Sequence, residues 1–294
     1  MIFGDASYGA IIVLATIASI IAGKRKGKPI GDAQKLFLLL GSTTVIWGAL
    51  TATWFGIAFD SLPRLLQNIS IPSINGQSPD SENNIKVICF SIGLIQLSIA
   101  HLKNLKRDFP DLKFLSQAGS LLLLLGMFNA ALNLVIDATR FPITNWAIVC
   151  IAVGFFLVFI FGNWNGKLGS SLLESLKNII PTFLGTVSVF ADIVSYIRLW
   201  AVGLAGLALA QTVNGMAGGL LSGPSKFIID LILKFIIAAV ILVAAHALNF
   251  LLTVLSVIVH GIRLNMLEFS GHLGMEWSGY KYDPLKEDED LSAS

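Results

Sequence analysis

The sequence predicts an all-α fold, a polytopic bundle of about seven transmembrane helices in which the last two are long and tilted. Three observations predict it. Apolar residues make up 55% of the 294 residues against 13% charged, far from the balance of a soluble domain. The mean hydropathy is +0.77. Long stretches carry no charge at all, so most of the chain cannot face water. This excludes soluble enzymes, disordered scaffolds and nucleic-acid binders, so no nucleic acid is expected as a partner.

Crossing about 30 Å of hydrocarbon takes about 20 residues at 1.5 Å each. Residues 2–22, 35–59, 87–102, 113–136 and 143–162 are candidates, the third being short. The first begins at Met1 without a basic n-region or small-residue cleavage site, so it reads as a retained helix and not a signal peptide. Residues 60–86, rich in Ser, Pro, Asn and Gly, read as an irregular external loop. Asn68-Ile69-Ser70 within it matches a glycosylation sequon, a weak three-residue signal. Residues 167–178 are amphipathic and read as an interfacial helix. Residues 179–221 and 227–270 would each extend about 65 Å if unbroken, so they must tilt, bend or project beyond the bilayer. The organisation expected is therefore 1–178 for the N-terminal helices and loops, 179–270 for two long tilted helices, and 271–294 for a tail. Residues 286–290 of that tail form a solvated acidic end. Cys89 and Cys150 both fall in apolar stretches and read as plain thiols, with neither a disulfide nor a metal site implied.

The net charge of +2 is uninformative, but the distribution of basic residues is not. Connections after the first, third and fifth spans, with the tail, carry thirteen: Lys24, Arg25, Lys26, Lys28, Lys35, Lys103, Lys106, Arg107, Lys113, Lys167, Lys177, Lys281 and Lys286. The other side carries Arg64, Lys86, Arg140 and Lys226. The thirteen-residue side is expected to be cytoplasmic, which puts the N-terminus outside and the C-terminus inside.

Ionisable groups inside a span are costly and mark function by default. They concentrate in the last two helices: Asp192, Arg198, Asp230, Lys234, His246, His260, Arg263 and Glu268. Asp230 and Lys234, four apart, read as an interfacial ion pair. Arg198 has no carboxylate three or four residues away, so its partner must come from elsewhere. Its face carries Ala191, Ser195, Ala201, Val202, Ala205 and Ala208, a small-residue stripe that admits a close helix. On the last helix, Asn249, Thr253, Ser256, His260 and Arg263 fall within about 80° of arc, with His246 about 20° beyond. Such a stripe either lines a wet path for protons or small cations or serves interhelical hydrogen bonding alone.

Ser195-Tyr196-Ile197-Arg198-Leu199-Trp200, within 192–205, closely resembles the signature helix of the membrane subunit a/I of V-type and archaeal-type rotary ATPases. Residues 260–268, from His260 through Arg263 to Glu268, resemble that family's second arginine segment, and 282–286 its C-terminal motif. Phe3-Gly4-Asp5-Ala6-Ser7-Tyr8-Gly9 is similar to the family's Gly-Asp turn, and Ile46-Trp47-Gly48 with Trp54-Phe55-Gly56 to its next helix. The resemblance runs along essentially the whole chain, though 60–175 matches mainly in hydropathy. Ser7 stands where Gly is usual, Gly206 where eukaryotic members have His, and Thr253 where some carry an acidic residue. The family's stalk-binding domain and one further helix, which usually come first, are not in this sequence.

The resemblance implies a non-catalytic stator subunit whose tilted helices lie against a rotating proteolipid ring in the cell membrane of a prokaryote. Its other partners would be the peripheral stalk, further ATPase subunits and lipid, with no cofactor. Arg198, helped by Arg263, would release the ion from each ring carboxylate. His246, Asn249, Thr253, Ser256 and His260 would line part of a half-channel, with Glu268 at its cytoplasmic end. Ser195, Tyr196, Ala201 and Ala205 would face the rotor. No Gly-x-x-x-x-Gly-Lys-[Ser/Thr] fingerprint occurs, so the chain should not hydrolyse ATP itself. The rival readings are a secondary ion-coupled transporter, disfavoured by the absence of repeats and by long unbroken final helices, and an assembly subunit whose charges only pair with partners.

Overall fold

The computed structural model describes residues 1–27, 29–162, 164, 168–224 and 227–275. The tail motif at 282–286, the acidic end at 286–290, and Lys28, Lys167, Lys226, Lys281 and Lys286 lie outside the described residues. Within them the chain is all α-helical in type, with no strand.

Helix α1 (Ala6–Arg25) starts where the Asp5 carboxylate accepts a 2.8 Å bond from the Ser7 N–H, and it ends on Lys24 and Arg25, which suit the helix dipole. It packs against α2 (Asp32–Leu50) so closely that a Cβ on Gly48 would lie 2.2 Å from the Ala6 nitrogen. The second span, expected to reach residue 59, stops at Leu50. Ala52 (φ 56°), Phe55 (φ 48°) and Gly56 (φ 67°) adopt left-handed backbone and fold the chain back over the N-terminal turn. There the Ala6 N–H donates to the Thr53 carbonyl at 2.9 Å, and the Thr53 hydroxyl donates to the Gly4 carbonyl. Hydropathy misses this stop because the folded-back residues are as apolar as a helix.

The loop expected to be irregular contains order of its own: a 3-10 turn at Phe59–Ser61 and helix α3 (Arg64–Ile69), tied together by the Gln67 amide donating to the carbonyls of Phe59 and Leu62. Helix α4 (Ser81–Asp108) is far longer than the expected 87–102, because its polar ends are helical but invisible to a hydropathy window. Helix α5 (Phe114–Ala131) runs into one π-helical stretch, Leu132–Ile136, and packs against α6 (Asn145–Phe161). Their backbones approach so nearly that a Cβ on Gly154 would meet the Gly119 carbonyl oxygen at 2.7 Å. The expected interfacial helix is present as α7 (Leu168–Lys177).

The two long rods are Ile179–Ser222 and Ile228–Leu273, and neither is unbroken as the sequence suggested. The first divides into α8 (Ile179–Ser195) and α9 (Arg198–Ser222) at Tyr196 and Ile197, whose N–H groups bond three residues back, to Ile193 and Val194. The second is α10 (Ile228–Ser256), two π-helical stretches at Val257–Gly261 and Leu264–Phe269, and a last turn α11 (Ser270–Leu273). The expected Asp230–Lys234 pair is present at 3.2 Å. Among the described residues six helices are long and apolar enough to cross a membrane, against the seven spans expected, and α6, with 17 residues, is a shorter apolar helix. The core gathers Phe90 and Leu97 of α4, Leu124 of α5, Ile193 and Tyr196 of the first rod and Leu264 of the second.

Candidate functional site

Arg198 opens α9 just after the tight turn, so its side chain leaves the first rod where the helix is interrupted. The partner that its own helix cannot supply is Glu268 of the second rod, 3.3 Å away. Ser195 joins the pair: its hydroxyl donates to Glu268 Oε1 at 2.6 Å and accepts from Arg198 Nη2. Both ions are largely covered, with side-chain exposures of 22% for Arg198 and 6% for Glu268. One atom on each is left over. Arg198 Nη1 and Glu268 Oε2 are buried without a hydrogen-bond partner among the described residues. A guanidinium that keeps a free N–H in a dry place has capacity for one more acceptor.

Glu268 was expected at one end of the polar stripe, yet it sits on Arg198. The cause is the π-helical backbone around it, which winds about one extra residue into each turn and rotates every later side chain away from its α-helical position. The same winding takes Arg263 off the arc projected for Asn249 to His260. Arg263 is exposed and makes no hydrogen bond or ion pair among the described residues. His260 and Ser256 are half-buried, and His260 Nδ1 is buried without a partner.

Higher on the second rod the stripe meets the N-terminal turn. Asn249, 2% exposed, donates through Nδ2 to the Tyr8 hydroxyl at 3.1 Å and to the Gly206 carbonyl at 2.9 Å. Tyr8 Oη lies 2.7 Å from His246 Nδ1, and His246 Nε2 lies 3.1 Å from Asn214 Oδ1. The Thr253 hydroxyl donates to the Asn249 carbonyl at 2.7 Å. Two cavities flank this chain of contacts. One, of about 90 Å³, is lined by Asp5, Tyr8, Gly206, Asn249 and Thr253. The other, wide and open at about 780 Å³, is lined by Phe55, Gln211, Asn214 and His246. Tyr8, although it lies in the motif at 3–9, and Asn214 were not singled out in the sequence as path residues, because neither shares a helix with the polar stripe it bonds to.

Of the residues expected on one outward face, Ala201 and Ala205 are exposed, as are Ala191 and Ala208, so the small-residue stripe is uncovered. Ser195 is half-buried against Glu268. Tyr196 corrects the expectation. It is 1% exposed, its ring packs on Gly93 of α4 and its hydroxyl donates to Gln96 Oε1, because the tight turn points it into the bundle. Among the described residues no cluster of His, Cys, Asp and Glu has metal-holding geometry.

No known family model matches the sequence. Individual proteins do. The chain is 42% identical over 289 residues to V-type ATP synthase subunit I 1 of Treponema pallidum, covering 98% of this chain and 45% of that protein. It is also 42% identical over 293 residues to V-type ATP synthase subunit I of Borreliella burgdorferi, 97% of this chain and 46% of that one. A-type ATP synthase subunit I of Methanocaldococcus jannaschii is 29% identical over 322 residues, 99% of this chain and 43% of its own length. The chain thus spans slightly under half the length of these relatives.

Proposed function

This chain is a homologue of subunit I of V-type and A-type ATP synthases along nearly its whole length, and we propose from that premise that it is a membrane-embedded stator of a rotary ATPase, carrying ions past a ring of carboxylate-bearing proteolipids. The observation that carries this reading is the buried, unpartnered Nη1 of Arg198 beside an uncovered stripe of alanines on the same rod. A ring helix seated on that stripe brings its carboxylate to the guanidinium. A neighbouring cation favours the ionised carboxylate, so the ion it carried is released. Arginine suits the post because it stays charged in a poor solvent, where lysine discharges. Glu268 holds the guanidinium between visits and gives way as the ring carboxylate arrives, so that one buried charge is always matched by another.

On one side of Arg198, the run from His246 through Tyr8 and Asn249 to Thr253 links a wide vestibule to a small, largely apolar cavity with Asp5, Asn249 and Thr253 on its wall, which suits it to serve as one half-channel. Ser256 and His260 extend it toward the arginine. Exposed Arg263 adds a second positive charge on the rotor side. Because the cation separates this path from the opposite one, ions cannot leak straight through, and transport requires rotation. The chain itself is non-catalytic in this reading, with ATP handled by other subunits, the stalk joined outside these residues, and the basic, C-terminal side facing the cytoplasm of a prokaryotic cell. The interrupted rods remove one argument against a secondary transporter, but the similarity to subunit I supports the rotary reading over it.

The test is ATP-driven ion uptake into inverted vesicles carrying the assembled complex with Arg198→Lys, with hydrolysis and assembly assayed alongside. Uptake is expected to vanish in a complex that still assembles. Normal uptake refutes the reading, and failed assembly reduces the arginine to a structural tie.

A further inference from the structure

A second hydrogen-bonded chain lies on the other side of the Arg198 pair, built from residues of four different segments. Gln117 of α5 places Oε1 3.3 Å from His101 Nδ1 of α4. His101 Nε2 is 3.1 Å from His272 Nδ1 of α11, and His272 Nε2 is 2.9 Å from Asp192 Oδ2 of α8. His101 is 5% exposed, while the side chains of His272 and Asp192 are 11% and 27% exposed. Asn104 and Arg107 of α4 donate to the carbonyls of His272 and Leu273 and fix the last turn against this site.

The protons in this chain do not balance for neutral rings. Three links join the four groups, with an oxygen acceptor at each end. Two neutral imidazoles supply one N–H each, and an ionised Asp192 supplies none. The third link needs one further proton on the rings. Turning the Gln117 amide over presents its N–H to His101 Nδ1 instead, and the neutral chain is then fully bonded. The same four side chains therefore support two satisfied states that differ by one proton.

We propose that Gln117, His101, His272 and Asp192 form a proton relay that serves the Arg198–Glu268 site from the basic end of the bundle, and that the ion handled on this side is H⁺. The inference rests on the reading of Arg198 as the charge that meets the ring. Its placement supports it: Lys103, Lys106, Arg107 and Lys113 flank the His101–Gln117 end, whereas Asp192 lies three residues before Ser195 on α8, and the Ser195 hydroxyl donates to Glu268. Neighbours three apart in an α-helix share a face. Glu268 Oε2, buried and without a partner, is the next acceptor. In one passage a hydronium at the basic end breaks an O–H bond, leaving water, and its proton bonds to His101 Nδ1 as the Gln117 amide turns its oxygen toward it. The proton on His101 Nε2 shifts to His272 Nδ1, and His272 Nε2–H gives its proton to Asp192, which passes it on to Glu268. Each N–H or O–H bond broken is matched by one formed, and reversal runs the relay the other way. The other charges facing the relay are Arg107 with its partner Asp108 on α4, Glu268 on the second rod and Arg198 on the first. Tyr196 is the remaining titratable neighbour, its hydroxyl held by Gln96.

The test uses the assembled complex in inverted vesicles, with ATP-driven proton uptake measured against pH on the basic side, and hydrolysis and assembly measured in the same preparations. His272→Gln keeps the polar shape but cannot hold the added proton. It is expected to lower uptake by about a hundredfold or more at alkaline pH, the least that a positioned proton-transfer group typically contributes, and to lose less at acid pH, so that the profile changes shape. Asp192→Asn is expected to behave alike. A profile parallel to that of the unaltered complex, or ATP-driven sodium uptake in place of protons, overturns the relay. If Arg198→Lys abolishes uptake while both relay variants keep the original profile, the relay alone fails. If Arg198→Lys transports normally, the stator reading and the relay fail together.

Discussion

Replacing Glu268 tests the pairing at the centre of the site. Glu268→Gln keeps the size of the side chain and an oxygen able to accept from Ser195, a hydrogen bond worth about 1 kcal/mol, so what it removes is the charge opposite Arg198. Breaking a buried ion pair from one side costs about 3–5 kcal/mol. Arg198 retains 22% exposure and its 3.3 Å contact to Glu268 is long, so solvent screening brings the loss below that range, to about 2–3 kcal/mol. Thermal unfolding of the complex in detergent reads this cost directly. In the working complex the bare guanidinium turns to the ring carboxylate instead. If only about 1.4 kcal/mol of the freed attraction is transferred, each dwell lengthens about tenfold. ATP-driven uptake and hydrolysis should then fall together, in a complex that stays coupled. A Glu268→Gln complex that melts and pumps as the unaltered one does would refute the view that this carboxylate holds Arg198 between visits.

Tyr8→Phe keeps the edge-on ring contacts to Phe3, Phe55 and Phe250 but removes the hydroxyl between His246 and Asn249. Uptake is expected to slow several-fold with assembly intact, and an unchanged rate would leave these contacts as packing only. Gly154→Leu forces a side chain into the approach where a Cβ already falls 2.7 Å from the Gly119 carbonyl. Overpacking of this kind costs about 1–3 kcal/mol or more, measurable as less subunit in the membrane, while Gly169→Ala, with nothing within 4 Å of its added Cβ, should accumulate normally.

The helices were legible in the sequence because a membrane span is a local object. Its backbone satisfies itself, and its length is set by hydrocarbon thickness, so hydropathy along the chain is enough to find it. The amphipathic helix at Leu168–Lys177 and the ion pair Asp230–Lys234 were legible for the same reason, since both depend on neighbours within a turn or two. Arg198 was legible as a charge without a local partner, but Glu268 was not legible as that partner. Two backbone irregularities decided it: the tight turn at Tyr196 and Ile197, which buries Tyr196 and frees Arg198, and the π-helical stretches, which rotate Glu268 inward and Arg263 outward. Neither leaves a trace in the hydropathy pattern, because a change of hydrogen-bond register alters the winding of the backbone and not the residue types along it.

Tyr8 with His246 and Asn249, and Gln117 with His101, His272 and Asp192, were likewise decided by tertiary structure alone. By itself the sequence determined which stretches cross the membrane and which charges they must carry, because burial in lipid acts on each helix separately. The fold decided which of those charges meet, because helices in a bilayer choose their neighbours and rotations by close packing and polar contacts, and those depend on every other helix in the bundle.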